Sequence, residues 1–131
     1  MKSYKVLNRN DFYATIKKWW SDWDFPIFGV ESLPENIVVV YHNEEEVCAI
    51  PVYLSDSNVC WIGFITSNKL ASKEARKGSL TFGLKVVSEI LEFTKYRHIF
   101  TVTGNAFIDK SLNESEFTLA NKNIKEYIKN I

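Results

Sequence analysis

Hydrophobic and polar positions divide the chain into short strands and amphipathic helices. Ser3 to Leu7 alternates weakly and predicts a first strand. Asn10 or Asp11 is the expected cap of a helix whose apolar positions Phe12, Ile16, Trp19, Trp20 and Trp23 share one face. That helix must stop by Phe25, because the residue before Pro26 avoids helical backbone angles. The stretch Trp23 to Gly29 is too apolar for a solvated loop and has no period. Either it folds back over the core, the preferred reading because aromatics commonly fill cores, or Trp23, Phe25 and Phe28 line a substrate pocket.

After a turn at Leu33-Pro34-Glu35-Asn36, the run Ile37 to Tyr41 is continuously β-branched and aromatic, so it predicts a strand covered on both faces. His42 to Glu46 reads as a polar hairpin loop whose glutamates are solvated. Val47 to Leu54 forms the next strand, with Pro51 removing one ladder donor, and a turn at Ser55-Asp56-Ser57-Asn58 leads into a strand from Val59. That register sets Cys60 opposite Tyr53 and Cys48 opposite Ile65, so the two cysteines are expected to be free thiols. Gly63, isolated in the apolar run Cys60 to Ile65, marks a bulge or a point of close approach.

A single helix is expected from Ser72 to about Tyr96, its stripe formed by Leu80, Gly83, Leu84, Val87, Ile90 and Leu91. Phe82, Val86 and Phe93 widen the apolar arc, so either another element covers that flank or it is a subunit contact that makes a homodimer. His98 to Thr103 follows a long helical crossover and should run parallel to the Val59 strand. Asn105 opens a shorter helix carrying Phe107, Ile108 and Leu112, and the tail from Glu116, with Ile124, Tyr127, Ile128 and Ile131, fits a final strand or a short helix, of which the strand is preferred. The order gives an α/β (α+β) class: a mixed, mostly antiparallel sheet of about six to seven strands flanked by helices on both faces, in one domain over residues 1–131.

Sixteen basic and 16 acidic side chains balance, which removes the electrostatic argument for nucleic acid or an anionic membrane as general partner. No apolar run approaches a membrane span and no signal segment is evident, so the expected location is the cytoplasm. His42 and His98 are near no ligand-spaced partner, so no metal site is assigned. The stretch that carries chemistry is the strand from Val59, the loop Thr66 to Ala71 and the helix start beyond it. Lys73, Arg76, Lys77, Gly78 and Ser79 there could meet an anion at free backbone N–H groups, or the cations could form an ordinary solvated face.

In order and pattern the chain resembles the GNAT superfamily of acyl-CoA-dependent N-acetyltransferases. It is closest to the short acetyltransferase-like proteins met in phages, through Trp19, Trp20 and Trp23, Leu33-Pro34 and Ser67-Asn68. The resemblance implies an acetyl-CoA-dependent transfer to an amine, small-molecule or protein, in a host cytoplasm if phage-encoded. The alternative is a catalytically silent binding or regulatory protein on the same fold. It also implies cofactor contacts at Phe64, Ile65 and Thr66 of the bulged strand, at Lys73, Arg76, Lys77, Gly78 and Ser79, and at Asn105. Against the family's phosphate signature, Ala75-Arg76-Lys77-Gly78-Ser79-Leu80 matches only at Gly78, and Leu80 stands where a small residue is usual. Leu112 falls where many members place a tyrosine acid, and Ser111 beside it is a poor substitute. Glu31 and His42 lie near the expected cleft, but no catalytic residue is assigned.

Overall fold

The computed structural model describes residues 1–131. Its strands are β1 (Lys2–Asn8), β2 (Asn36–His42), β3 (Glu45–Leu54), β4 (Val59–Ile62), β5 (Thr66–Ser67) and β6 (His98–Thr101). Its helices are α1 (Arg9–Asp22), α2 (Lys73–Arg76), α3 (Ser79–Glu92) and α4 (Ala106–Glu114), with one 3-10 turn at Val30–Ser32. The strands form one sheet in the order β1-β2-β3-β4-β6, with β5 also paired to β3. All pairs are antiparallel except β4 with β6. The mixed, mostly antiparallel sheet expected from the sequence is therefore present, with six strands.

Two apolar layers hold it. On one face α1 sets Phe12, Ile16, Trp19 and Trp20 against Ile37, Val39, Tyr41 and Ala49. On the other, Leu80, Leu84, Val87 and Leu91 of α3 meet Val38, Val40, Cys48, Ile50, Cys60 and Ile62. The β-branched run of β2 is thus buried from both sides, as a central strand requires. Gly83 lets α3 approach closely, since a Cβ there would lie 2.6 Å from Ile50 Cδ1 and 2.7 Å from Val40 Cγ2. Of the two readings of the wide α3 arc, coverage by another element holds for Val86, which is buried, and for Phe82, which packs against the same cluster as Leu112 of α4. Phe93 is left 90 % exposed beyond the helix end.

Several local expectations are corrected. The cap of α1 is Asn8, whose side chain accepts from Asn10 N at 2.9 Å. Arg9 N bonds Glu35 O and Arg9 Nη1 bonds Leu33 O, so the helix starts where the strand ends. The long helix is two: Lys77 and Gly78 interrupt it, and Gly78 takes a left-handed φ of 73° that stops one helix and caps the next. Ile90 lies at the exposed border of the stripe. The tail forms no strand. Phe117 N closes α4 on Leu112 O, and Ile124, Tyr127 and Ile128 beyond it are exposed, their spacing lacking the alternation that would give a strand an apolar face to bury.

The β3–β4 register is also one residue off the expected one. Leu54, not Tyr53, opposes Cys60, and Cys48 opposes Ser67 of β5, not Ile65. Ser55 Oγ, which donates to Val59 O and accepts from Ser57 N, closes a loop centred on Ser57 that is one residue longer than the expected two-residue turn. One further residue is absorbed between Ile62 and Thr66, where β3 opposes Gly63, Phe64 and Ile65 with only Ile50 and Pro51. Both cysteines are free and buried. No helix is long and apolar enough to cross a membrane.

Candidate functional site

The bulge shapes the site. β6 pairs with β4 from Val59↔His98 to Ile62↔Thr101, and Thr101 Oγ1 closes the pair on Ile62 O at 3.0 Å. Beyond that point the chain after β4 swings to β3 as β5, while the chain after β6 turns into α4. The parallel strands therefore splay at Gly63. Phe64, rather than the glycine, takes the left-handed conformation (φ 56°), and Thr66 Oγ1 fixes it by donating to Phe64 O at 2.8 Å. Gly63 N donates to Pro51 O, whereas the N–H groups of Phe64 and Ile65 meet no acceptor within the protein.

The splay opens into a cavity of about 550 Å³. Its apolar wall includes Trp23, Phe25, Ile65, Leu80, Phe107 and Ile108, and its basic rim is Lys73, Arg76 and Lys77. The wall is tied down at several points. Trp23 Nε1 donates to Ser67 O at 2.8 Å, Trp20 Nε1 to Thr66 Oγ1 at 3.1 Å, and Lys69 Nζ lies 5.1 Å from the Trp23 ring centroid while bonding Asp22 O. Trp23 and Phe25 stack with centroids 6.1 Å apart. Asn68 braces the loop after β5, through Nδ2 to Glu46 O and N to Val47 O, and this is the structural role of the Ser67-Asn68 pair.

At the basic rim the first turn of α3 presents N–H groups that lack intrahelical acceptors, and its cap Gly78 contributes no side chain to them. The helix start that faces the cavity is thus at Ser79, seven residues beyond the one expected at Ser72, because the four-residue α2 ends before it. None of Lys73, Arg76 or Lys77 forms an ion pair; the ion pairs of the protein are Lys18–Asp22 and Lys110–Glu114. Arg76 Nε is buried with no hydrogen-bond partner. Leu80 is 3 % exposed and its side chain belongs to the core cluster as well as to the cavity wall. Asn105 caps α4 through Oδ1, accepting from Phe107 N and Ile108 N at 2.8 and 3.1 Å, and its Nδ2 bonds nothing in the protein.

Of the expected cofactor positions, Ile65, Lys73, Arg76, Lys77, Ser79 and Asn105 come together around the cavity. Thr66 is 2 % exposed and serves the bulge, and Gly78 sits behind the rim beside the Lys2 side chain. Phe64 points its ring away, into an aromatic group with Trp20, Phe28 and Tyr53. The stretch from Trp23 therefore divides: Trp23 and Phe25 line the cavity, while Phe28 packs on Trp20 and Phe64. Glu31 lies against Gly29 and His42 ends β2; neither lines the cavity. Leu112 and Ser111 are buried in α4, away from the cavity lining.

Val47, Cys48, Phe107 and Ile108 also line the cavity and were not among the expected site residues, although Phe107 and Ile108 lie in the first turn of the helix that Asn105 opens. Burial pushes the Cys48 thiol up to about 12, against the pull of the nearby Lys2 charge. Burial also pushes the Tyr53 hydroxyl, which donates to Ser32 O, up to about 12. A wider, more polar depression of about 680 Å³ lies between α3, β6 and the tail, remote from the bulge.

No protein-family model and no curated protein matches the chain. Solved structures do. An aminoglycoside acetyltransferase from an uncultured soil metagenomic sample superposes with TM-score 0.70 at 12% identity, over 99% of this chain and 97% of that one. A ribosomal-protein-alanine N-acetyltransferase from Brucella melitensis biovar Abortus 2308 gives 0.67 at 11% identity, over 100% and 99%. A Trypanosoma brucei acetyltransferase gives 0.64 at 9% identity, over 98% and 100%. At these identities the likeness is one of fold, and it extends over the whole chain.

Proposed function

We propose that this chain, which has the GNAT fold, is an acetyl-CoA-dependent N-acetyltransferase acting on an amine. The observation that carries the reading is the cavity at the strand splay. One continuous wall combines an apolar channel with three cations free of carboxylate partners and an arginine Nε left without an acceptor. A ligand with a slender, largely apolar arm and a polyphosphate end matches both halves. Acyl-CoA has that form, and it supplies an activated thioester when bound. The acetyltransferases of the same fold support the assignment of class.

The protein's own contribution follows from the geometry. Arg76, Lys77, Lys73 and the first turn of α3 would hold the pyrophosphate, and the free Nδ2 of Asn105 would bind the amide-bearing arm. The N–H groups of Phe64 and Ile65, released from the ladder by the bulge, are the donors available to polarise an acyl carbonyl. Leu112 offers no proton and no side chain is assigned as base, so the proton lost by the attacking amine and the one gained by the departing thiolate would both exchange with solvent, and the chain itself would contribute positioning and backbone polarisation.

The test is release of free CoA thiol from acetyl-CoA across a panel of amines, from polyamines and amino sugars to peptide N-termini. The reading predicts amine-dependent release with at least one class. Saturable binding of the cofactor without turnover on any of them would instead leave the fold as a binding module.

A further inference from the structure

Lys2 lies at the start of β1, paired with His42 of β2 and far in sequence from the basic rim. Its side chain nevertheless reaches the break between α2 and α3. Nζ donates to Ala75 O at 3.1 Å and to Ser79 Oγ at 2.8 Å, and Ser79 Oγ donates in turn to Ala75 O at 2.5 Å. A Cβ at Gly78 would lie 3.8 Å from Lys2 Cε, so the lysine stem runs directly behind the left-handed glycine. Ser79 is 1 % exposed and lines the cavity. One ammonium thus joins the last turn of α2 to the first residue of α3 and fixes the residues between them.

The hydrogen bond to Ala75 O, in the last turn of α2, accounts for a donor there but leaves the charge without a counterion, since no carboxylate pairs with Lys2. Nζ also lies against the first residue of α3, at the positive end of its dipole, where an acidic or neutral residue is the stabilising choice. Partial burial lowers its pKa, which records the cost of keeping the ammonium there. An anion at the corner reverses that balance, since it meets a cation already held in place by two hydrogen bonds.

We propose that Lys2 is a positioning residue for the polyphosphate end of the ligand. It shapes the Arg76–Ser79 turn from behind and adds a fixed positive charge to it. This role rests on the cofactor reading of the cavity, and the experiment separates the two.

CoA and pantetheine, which lacks the nucleotide phosphates, are titrated by calorimetry into wild-type protein, Lys2→Met and Lys2→Arg at one ionic strength. Lys2→Met is expected to weaken CoA by about tenfold or more, leave pantetheine nearly unchanged, and be largely rescued in Lys2→Arg. Unchanged CoA affinity in Lys2→Met, or equal weakening of both ligands, overturns the role and leaves the cofactor reading standing. A wild-type protein that binds neither ligand overturns both. If Lys2→Met does not fold, NMR of the wild-type Lys2 side chain decides: its pKa rises on addition of CoA and not of pantetheine, whereas no response to CoA overturns the proposal.

Discussion

At the scale of single residues, the site depends on side chains whose roles are set by three-dimensional placement. Gly63 is where the sequence points to a bulge, because glycine is the usual host of irregular backbone. The bulge is there, but Phe64 takes the positive φ, held by the Thr66 hydroxyl and by packing of its ring on Trp20 and Phe28. Aromatic packing that sustains a strained phenylalanine leaves no trace in local composition. Leu80 and Leu112, which depart from the family pattern, are both core residues here, and the pattern of α3 and α4 already marked them as apolar-face positions.

Cys48 makes a residue-scale prediction about pH. Its thiol is raised from 9.0 to about 12 in the folded protein, so between about pH 9 and about 12 the unfolded chain has lost a proton that the folded chain keeps. The unfolded state then binds fewer protons, and stability falls as pH rises through that window. Thermal midpoints measured from neutral pH into that window should decline, and Cys48→Ala should decline less steeply. Equal slopes would show that the thiol does not contribute.

At the scale of elements, the helical period of residues 72–96 conceals a break. The apolar stripe begins only at Leu80, and Ser72 to Lys77 carry no period of their own that would mark a separate helix; only the glycine hints at two, and a lone glycine is tolerated within helices. The break is what delivers a fresh helix start to the cavity. Substituting Gly78→Ala forces a left-handed alanine with no steric clash and should cost about 1 to 2 kcal/mol. Gly83→Ala meets Ile50 and Val40 at the helix–sheet contact and should cost about 1 to 3 kcal/mol, and only Gly78→Ala should also weaken cofactor binding. Urea unfolding with a parallel cofactor titration checks both; a Gly78→Ala protein of wild-type stability would contradict the left-handed cap. The tail misled in the opposite way. Its Ile and Tyr residues suggest a strand, but at 124, 127, 128 and 131 they lack the two-residue alternation of a half-buried strand, and all four are exposed.

At the scale of the whole molecule, the order of elements was the most legible feature. A long crossover between the Val59 and His98 segments requires parallel strands, and a glycine in the first of them predicted where they part. The cavity follows from that topology. Registers and the reach of Lys2 from β1 were not legible, because they depend on loop geometry and on contacts between distant residues. The balanced charge was informative in total but misleading locally: a chain of formal net charge zero gathers Lys73, Arg76 and Lys77 on one rim of the cavity, with Lys2 bonded to the turn behind it, all without carboxylate partners.

Whether that corner holds the polyphosphate of acetyl-CoA is decided by calorimetric titration of acetyl-CoA into the wild-type protein and Arg76→Gln. Binding to the wild type should be saturable and one-to-one, with affinity about tenfold lower in Arg76→Gln, whose lost guanidinium leaves a phosphate oxygen without its charged donor. Absence of binding at millimolar cofactor, or identical isotherms for the two proteins, would contradict it.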